Sequence, residues 1–167
     1  GGAQALGQLS DRYVMEEIEW IIEGRELLSL GSYLEAPRPG RGIALRPGAR
    51  TAIWELYERF GAELDHLKVE TFSRLRREAL AIVRSGKWKD HYDAVLVDEA
   101  QDLTPVALAL LAEAAKSQEG LFFAADEKQS LYSRSYSWTQ AHPRLSFAGR
   151  TAILRRNYRS TAEIDRA

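Results

Sequence analysis

Apolar residues recur at helical spacing in the first part of the chain and in short unbroken runs in the second. Between Ser10 and Leu34, Val14, Ile18, Ile21 and Ile22 predict a helix. Ser10 or Asp11 caps it and Gly24 breaks or ends it. A second helix is predicted from about Ala49 to Leu67, with Ile53, Trp54, Leu56, Tyr57, Phe60 and Leu64 on its apolar side. A third is predicted from Thr71 to Ser85, with Phe72, Leu75, Ala79, Ile82 and Val83 inward and Gly86 as C-cap. From residue 92 the pattern changes. Tyr92 to Val97 is a short run rich in β-branched residues, which predicts a buried strand. Thr104-Pro105 opens a helix through Lys116, with proline in its first turn. Leu121 to Ala125 is a second strand and Thr151 to Leu154 a shorter third; Ser160 or Thr161 caps a final helix. Strands alternating with helices predict an α/β fold with a parallel sheet, preceded by a helical part.

Composition narrows the class. The 167 residues are 45% hydrophobic and 28% charged, which excludes a disordered tail, a collagen-like chain and a coiled-coil rod. There is no cysteine, so neither a disulfide framework nor a thiolate metal site exists, and a cytoplasmic location is expected. The longest apolar run, Val106 to Ala112, is far shorter than the roughly 20 residues of a membrane span, so no membrane association is expected. Twenty-three basic and 24 acidic residues leave a net charge of −1, which argues against a histone-like nucleic-acid coat but leaves room for local basic faces.

Charge is unevenly placed. Asp11, Glu16, Glu17, Glu19, Glu23 and Glu26 make the first helix acidic, and the expectation is a solvated face. The stretch from Ala36 to Gly48 is rich in proline and glycine, hence a loop, and Arg38, Arg41, Arg46 and Arg50 make it basic. It reads either as an ordinary surface loop or as a phosphate-contacting one. Arg74, Arg76, Arg77 and Arg84 take polar positions on the third helix.

The most informative stretch is Val95-Leu96-Val97-Asp98-Glu99. A hydrophobic strand ending in two carboxylates sets both at the carboxyl edge of a sheet, where α/β proteins bind ligands. As a bare pattern it also fits two solvated carboxylates. The string from Val97 to Thr104, reading Val-Asp-Glu-Ala-Gln-Asp-Leu-Thr, resembles motif II of the superfamily I helicases of the UvrD/Rep type. Ala125-Asp126-Glu127-Lys128-Gln129-Ser130-Leu131-Tyr132 resembles motif III of that family, and Leu154-Arg155-Arg156-Asn157-Tyr158-Arg159-Ser160 resembles motif IV. The three stand in the family's order and cover residues 92 to 160; residues 10 to 90 resemble the family more weakly.

The resemblance implies roles position by position. Asp98 is the Mg²⁺ carboxylate, usually through water, and Glu99 the general base. Gln129 senses the γ-phosphate and links it to the nucleic-acid site. Tyr158 stacks on the adenine, and Arg159 meets the γ-phosphate, a role suited to a planar, permanently charged guanidinium. Gln101 and Asp102 organise the loop rather than do chemistry. One departure lies after motif III. Where the family carries an aromatic residue followed by arginine, this chain reads Arg134-Ser135. Trp138 or Tyr136 is then the candidate stacking platform for a base, with core packing the alternative for Trp138.

A larger departure is the missing P-loop, whose backbone and lysine cradle phosphates. Gly86-Lys87 does not replace it, because Ala81 and Trp88 stand where the motif needs glycine and a hydroxyl residue. The chain starts at Gly1-Gly2 without methionine and stops at Ala167 inside a predicted helix, so an excerpt of a longer protein is expected. The implied fold is a partial RecA-like P-loop NTPase domain. Residues 1–70 form a helical insertion subdomain and residues 71–167 the later half of the first RecA-like domain. The implied parent is an ATP-dependent DNA helicase using ATP and Mg²⁺ on single-stranded DNA, with this chain inactive alone. The alternative is a non-hydrolytic module that binds DNA or a protein. Sheet edges left open lead to an expected homodimer.

Overall fold

The computed structural model describes residues 6–38, 40–126 and 137–154. Helix α1 spans Asp11–Glu16, and Ser10 caps it by accepting the Tyr13 N–H. It runs directly into a π-helical stretch, Glu17–Glu23, that stops at Gly24. The wider π turn brings Glu17, Ile18, Ile21, Ile22 and Glu23 all out of solvent. Gly24 is required by close approach. A Cβ there would lie 2.7 and 2.8 Å from the Glu19 and Trp20 carbonyl oxygens and 3.1 Å from the Thr104 side chain. Helix α2, Leu30–Glu35, starts with a reciprocal Ser29/Ser32 capping box. Helix α3, Pro47–Leu67, has proline in its first turn and ends at Lys68 in the left-handed region. Val14, Ile18, Ile21, Ile22, Tyr33, Ile53 and Trp54 form one apolar core between these elements.

The expected solvated face of the first helix holds for Asp11 and Glu19, which are exposed, and fails for two other acids. Glu17 is fully buried and Glu23 nearly so. Arginines of the following loop supply the counter-charge. Arg38 donates to both Glu17 oxygens, at 2.8 Å to Oε2 and closely to Oε1. Arg41 donates to Glu17 Oε2 at 2.9 Å and to Glu16 Oε2 at 3.0 Å. The Tyr33 hydroxyl donates to Glu17 Oε1 at 2.9 Å. Arg50 donates to the carbonyls of Leu34 and Ala36 at 2.6 and 2.7 Å. Arg38 and Arg41 of the loop, and Arg50 in the first turn of α3, bond within the chain and act as a scaffold, a role that neither reading of the basic loop included.

Helix α4, Phe72–Arg84, is capped by Thr71, and Gly86 follows with φ +71°. Its expected inward face is also corrected. Phe72 is 77% exposed, and Leu75 and Ile82 are exposed as well, whereas Leu80 is buried against Val106 and Ala109. The opposite stripe turns inward around Leu80 and Ser73, and its arginines bond at the margin of that contact. Arg74 pairs with Asp65 at 2.7 Å and Glu70 at 3.0 Å, and Arg77 donates to the Tyr57 hydroxyl at 3.2 Å.

Strand β1, Val95–Val97, pairs in parallel with β2, Leu121–Phe123, through the crossover helix α5, Pro105–Ala114. This is a mixed helix-and-strand architecture with a small parallel sheet. Thr104 caps α5, and the Gly24 carbonyl accepts the Val106 N–H at 3.0 Å, so the first helix end is tied to the start of the crossover. One face of the sheet packs on Leu108, Ala112, Ala115 and Leu145. On the other, Leu96 and its register partner Phe122 are 73% and 63% exposed. The strand expected to be buried is therefore covered on one face only. Gly120 leads into β2 with no room for a side chain, since a Cβ would collide with the Asp93 carbonyl oxygen. Residues 151–154, expected as a third strand, have no strand partner among the described residues and are exposed throughout. The expected final helix lies outside the described residues.

Candidate functional site at the carboxyl end of the strands

Asp98 and Glu99 directly follow β1 and are both exposed. Glu99 adopts φ +49°, ψ +39°, a left-handed conformation that an ordinary residue enters at a cost of about 1–2 kcal/mol. Among the described residues, the other such non-glycine residues are Glu26, just past the π-helical stretch, and Lys68, at the end of α3. At Glu99 the turn stops the strand and starts a single 3₁₀ turn, Ala100–Asp102, with the Asp102 N–H bonded to the Glu99 carbonyl at 2.9 Å. Asp98 Oδ1 accepts the Glu99 N–H at 2.9 Å. The fold thus holds the Glu99 backbone against its local preference, at the end of the strand.

The ends of the two strands are bound together. The Ala124 N–H reaches the Val97 carbonyl at 2.8 Å and the Ala100 N–H reaches the Ala124 carbonyl at 3.0 Å. Gln101, 7% exposed, lies between them. Its Nε2 donates to Glu99 Oε2 at 2.6 Å and its Oε1 accepts the Asp126 N–H at 3.0 Å. The loop-organising role expected of Gln101 is what its contacts show. Its extent was hidden in the sequence, because Asp126 lies 25 positions along.

The model of the UvrD/REP helicase N-terminal domain matches residues 45–147, well over half of the sequence. The chain belongs to this helicase family. It is 29% identical over 161 residues to the ATP-dependent DNA helicase UvrD2 of Mycobacterium bovis, and equally to UvrD2 of Mycobacterium tuberculosis. These alignments take in 89% of this chain and 22% of each relative, so the chain spans about a fifth of the length of the curated relatives it matches. No solved structure matches the chain.

Within this UvrD/REP helicase domain, the matched stretch contains Asp98, Glu99 and Trp138, while Tyr158 and Arg159 lie beyond it. Gln129, Arg134, Tyr136, Tyr158 and Arg159 all fall outside the described residues. Trp138 opens the short helix α6, Trp138–Ala141, and is half-buried. Its ring is 5.4 Å from that of Phe123 and 6.0 Å from that of Phe147, so its observed place is in the aromatic layer under β2. Among the described residues no group of three or more acids or imidazoles converges on an ion position. No helix among them is long and apolar enough to cross a membrane.

Proposed function

We propose that this chain is part of an ATP-dependent DNA helicase that couples ATP hydrolysis to movement on single-stranded DNA. The observation that carries the reading is the Asp98-Glu99 pair, held at the carboxyl end of a parallel strand by a left-handed turn, inside a helicase-family domain. Residues 1–70 are read as a helical insertion and residues 71–167 as the later half of a RecA-like domain. Asp98 suits Mg²⁺, an ion usually held by one or two carboxylates together with waters and substrate phosphates. Bound there, the ion supplies charge neutralisation on the phosphate oxygens. Glu99 takes the proton of the attacking water, because Gln101 occupies Oε2 and leaves Oε1 to accept it. Gln129, Tyr158 and Arg159 supply phosphate sensing, adenine stacking and phosphate charge neutralisation.

The test is steady-state ATP hydrolysis by the full-length protein that contains this chain. Glu99→Gln should abolish turnover, and unchanged turnover would overturn the reading. The chain by itself should not turn over ATP, since no P-loop lysine stands in its sequence. Turnover by the isolated chain that Glu99→Gln removes would sink that statement. The alternative of a non-hydrolytic binding module is less favoured. Arg74, Arg77 and Arg84, which a DNA-binding face would use, already bond Asp65, Tyr57 and Glu26.

A further inference from the structure

We propose that Gln101 is a positioning residue that clamps the Glu99 carboxylate to the backbone at the end of β2, so that the two move as one unit. The proposal rests on Glu99 being the base. Its support is the pair of bonds at opposite ends of one buried amide. Their chemistry leaves no freedom in the amide's orientation. A backbone N–H needs an oxygen, and an ionised carboxylate needs a donor. Glutamine meets both at once. Glutamate meets only the Asp126 side, and asparagine is one methylene too short to span the gap.

The clamp has work to do because Glu99 is exposed. A free glutamate loses rotamer entropy when held in one position. Gln101 removes that freedom before any ligand arrives, which is the condition for a base that must meet a water in one geometry. The backbone bonds Ala124 to Val97 and Ala100 to Ala124 align the strand ends without it. The amide therefore adds control of a side chain to strands that are already paired. Its burial keeps water from competing for either bond.

Two variants in the full-length protein separate the two ends of the clamp. Gln101→Met keeps the length and loses both bonds. Gln101→Glu keeps the shape and the acceptor for the Asp126 N–H, and replaces the donor facing Glu99 with an oxygen. Both should lower kcat for ATP hydrolysis about tenfold while KM for ATP stays within about twofold. Hydrogen exchange gives a readout that does not depend on activity. The Asp126 amide should exchange about tenfold faster in Gln101→Met and as in wild type in Gln101→Glu, with the Ala124 amide unchanged in both.

A kcat within about twofold of wild type in either variant would overturn the proposal. So would an unchanged Asp126 amide in Gln101→Met, or loss of Ala124 protection, which would make Gln101 a strut of the fold. The underlying reading fails separately. Glu99→Gln with full turnover removes the base assignment and the clamp's purpose with it. An inactive Glu99→Gln alongside Gln101 variants that behave as wild type overturns the clamp alone.

Discussion

Two acidic places in this chain have opposite surroundings. Glu17, in the π-helical stretch, is fully buried and accepts bonds from Arg38, Arg41 and Tyr33. Glu99, at the end of β1, is exposed and among the described residues accepts one side-chain bond, from Gln101. The first carboxylate is neutralised by cations from a loop about 20 residues downstream, and pins that loop to the helix. The second is left with charge facing solvent, on backbone that the local sequence does not favour. A carboxylate matched several times over holds a fold together; one matched once and open to water remains available to a ligand.

The largest expected effect breaks the first of these. Glu17→Ala leaves Arg38 and Arg41, whose side chains are 8% and 7% exposed, without their main counter-charge. Removing one partner of such a buried set destabilises by about 3–5 kcal/mol. A urea titration should show the midpoint collapse, and a shift below about 1 kcal/mol would mean that the cluster is not holding the loop. Burial by itself would raise the Glu17 pKa, but the Arg38 bonds and charge outweigh it and the net shift is downward. The sign follows. Stability from Glu17 is present above the ordinary glutamate value and is lost as pH falls through the lowered folded value.

Next in size is Gly120→Ala, which acts on the framework under the second region. The new methyl would press on the Asp93 backbone, which cannot swing aside as a side chain can. Overpacking of this kind costs about 1–3 kcal/mol. The strand pair should loosen first, read as faster hydrogen exchange at the Ala124 amide. Unchanged exchange and an unchanged unfolding midpoint would refute the tight approach.

Glu23 supplies a smaller effect of opposite sign within the first region. Burial raises its pKa despite nearby Arg77 and Arg74, and its Oε1 has no hydrogen-bond partner among the described residues. Glu23→Gln should stabilise by on the order of 1 kcal/mol at neutral pH. The penalty from the buried charge begins to lift as pH falls through the raised folded value and is gone below the unfolded one. Wild type and Glu23→Gln should therefore converge in stability on acidification, whereas wild type and Glu17→Ala converge for the contrary reason. Failure of the Glu23 pair to converge would show that its burial is not what sets its charge.

Much of this architecture was legible in the sequence. Ser10, Thr71 and Thr104 cap helices as their positions suggest, and the Asp98-Glu99 pair stands at a strand end as the apolar run before it implies. The burial of Glu17 had a signal too: it lies three residues after Val14 and four before Ile21, on the apolar stripe itself. Its partners did not, because nothing local selects Arg38 and Arg41 from the four arginines between residues 38 and 50. Helix α4 shows the other limit. Periodicity tells which residues share a face, and Phe72, Leu75 and Ile82 do share one, but it does not tell which face meets a neighbour. Leu80 was buried by α5, a contact between elements with twenty residues between them. The reach of Gln101 to Asp126 was hidden for the same reason.

The smallest expected effect tests the comparison most sharply. Asp98→Asn and Glu99→Gln should each leave the unfolding free energy within about 0.5 kcal/mol of wild type. Both side chains are exposed, so neither substitution creates a cavity or strands a buried charge. The left-handed backbone at Glu99 is equally strained with glutamine there, so that cost cancels. The Gln101 donor still finds an oxygen on a glutamine at 99, and the Glu99 N–H still finds one on an asparagine at 98. Denaturant unfolding of the two variants beside Glu17→Ala puts the two regions on one scale. If Glu99→Gln destabilised by several kcal/mol, the strand-end carboxylate would belong to the framework as Glu17 does. A neutral result, with turnover lost in the full-length protein, would separate the charge that builds this domain from the charge that it presents.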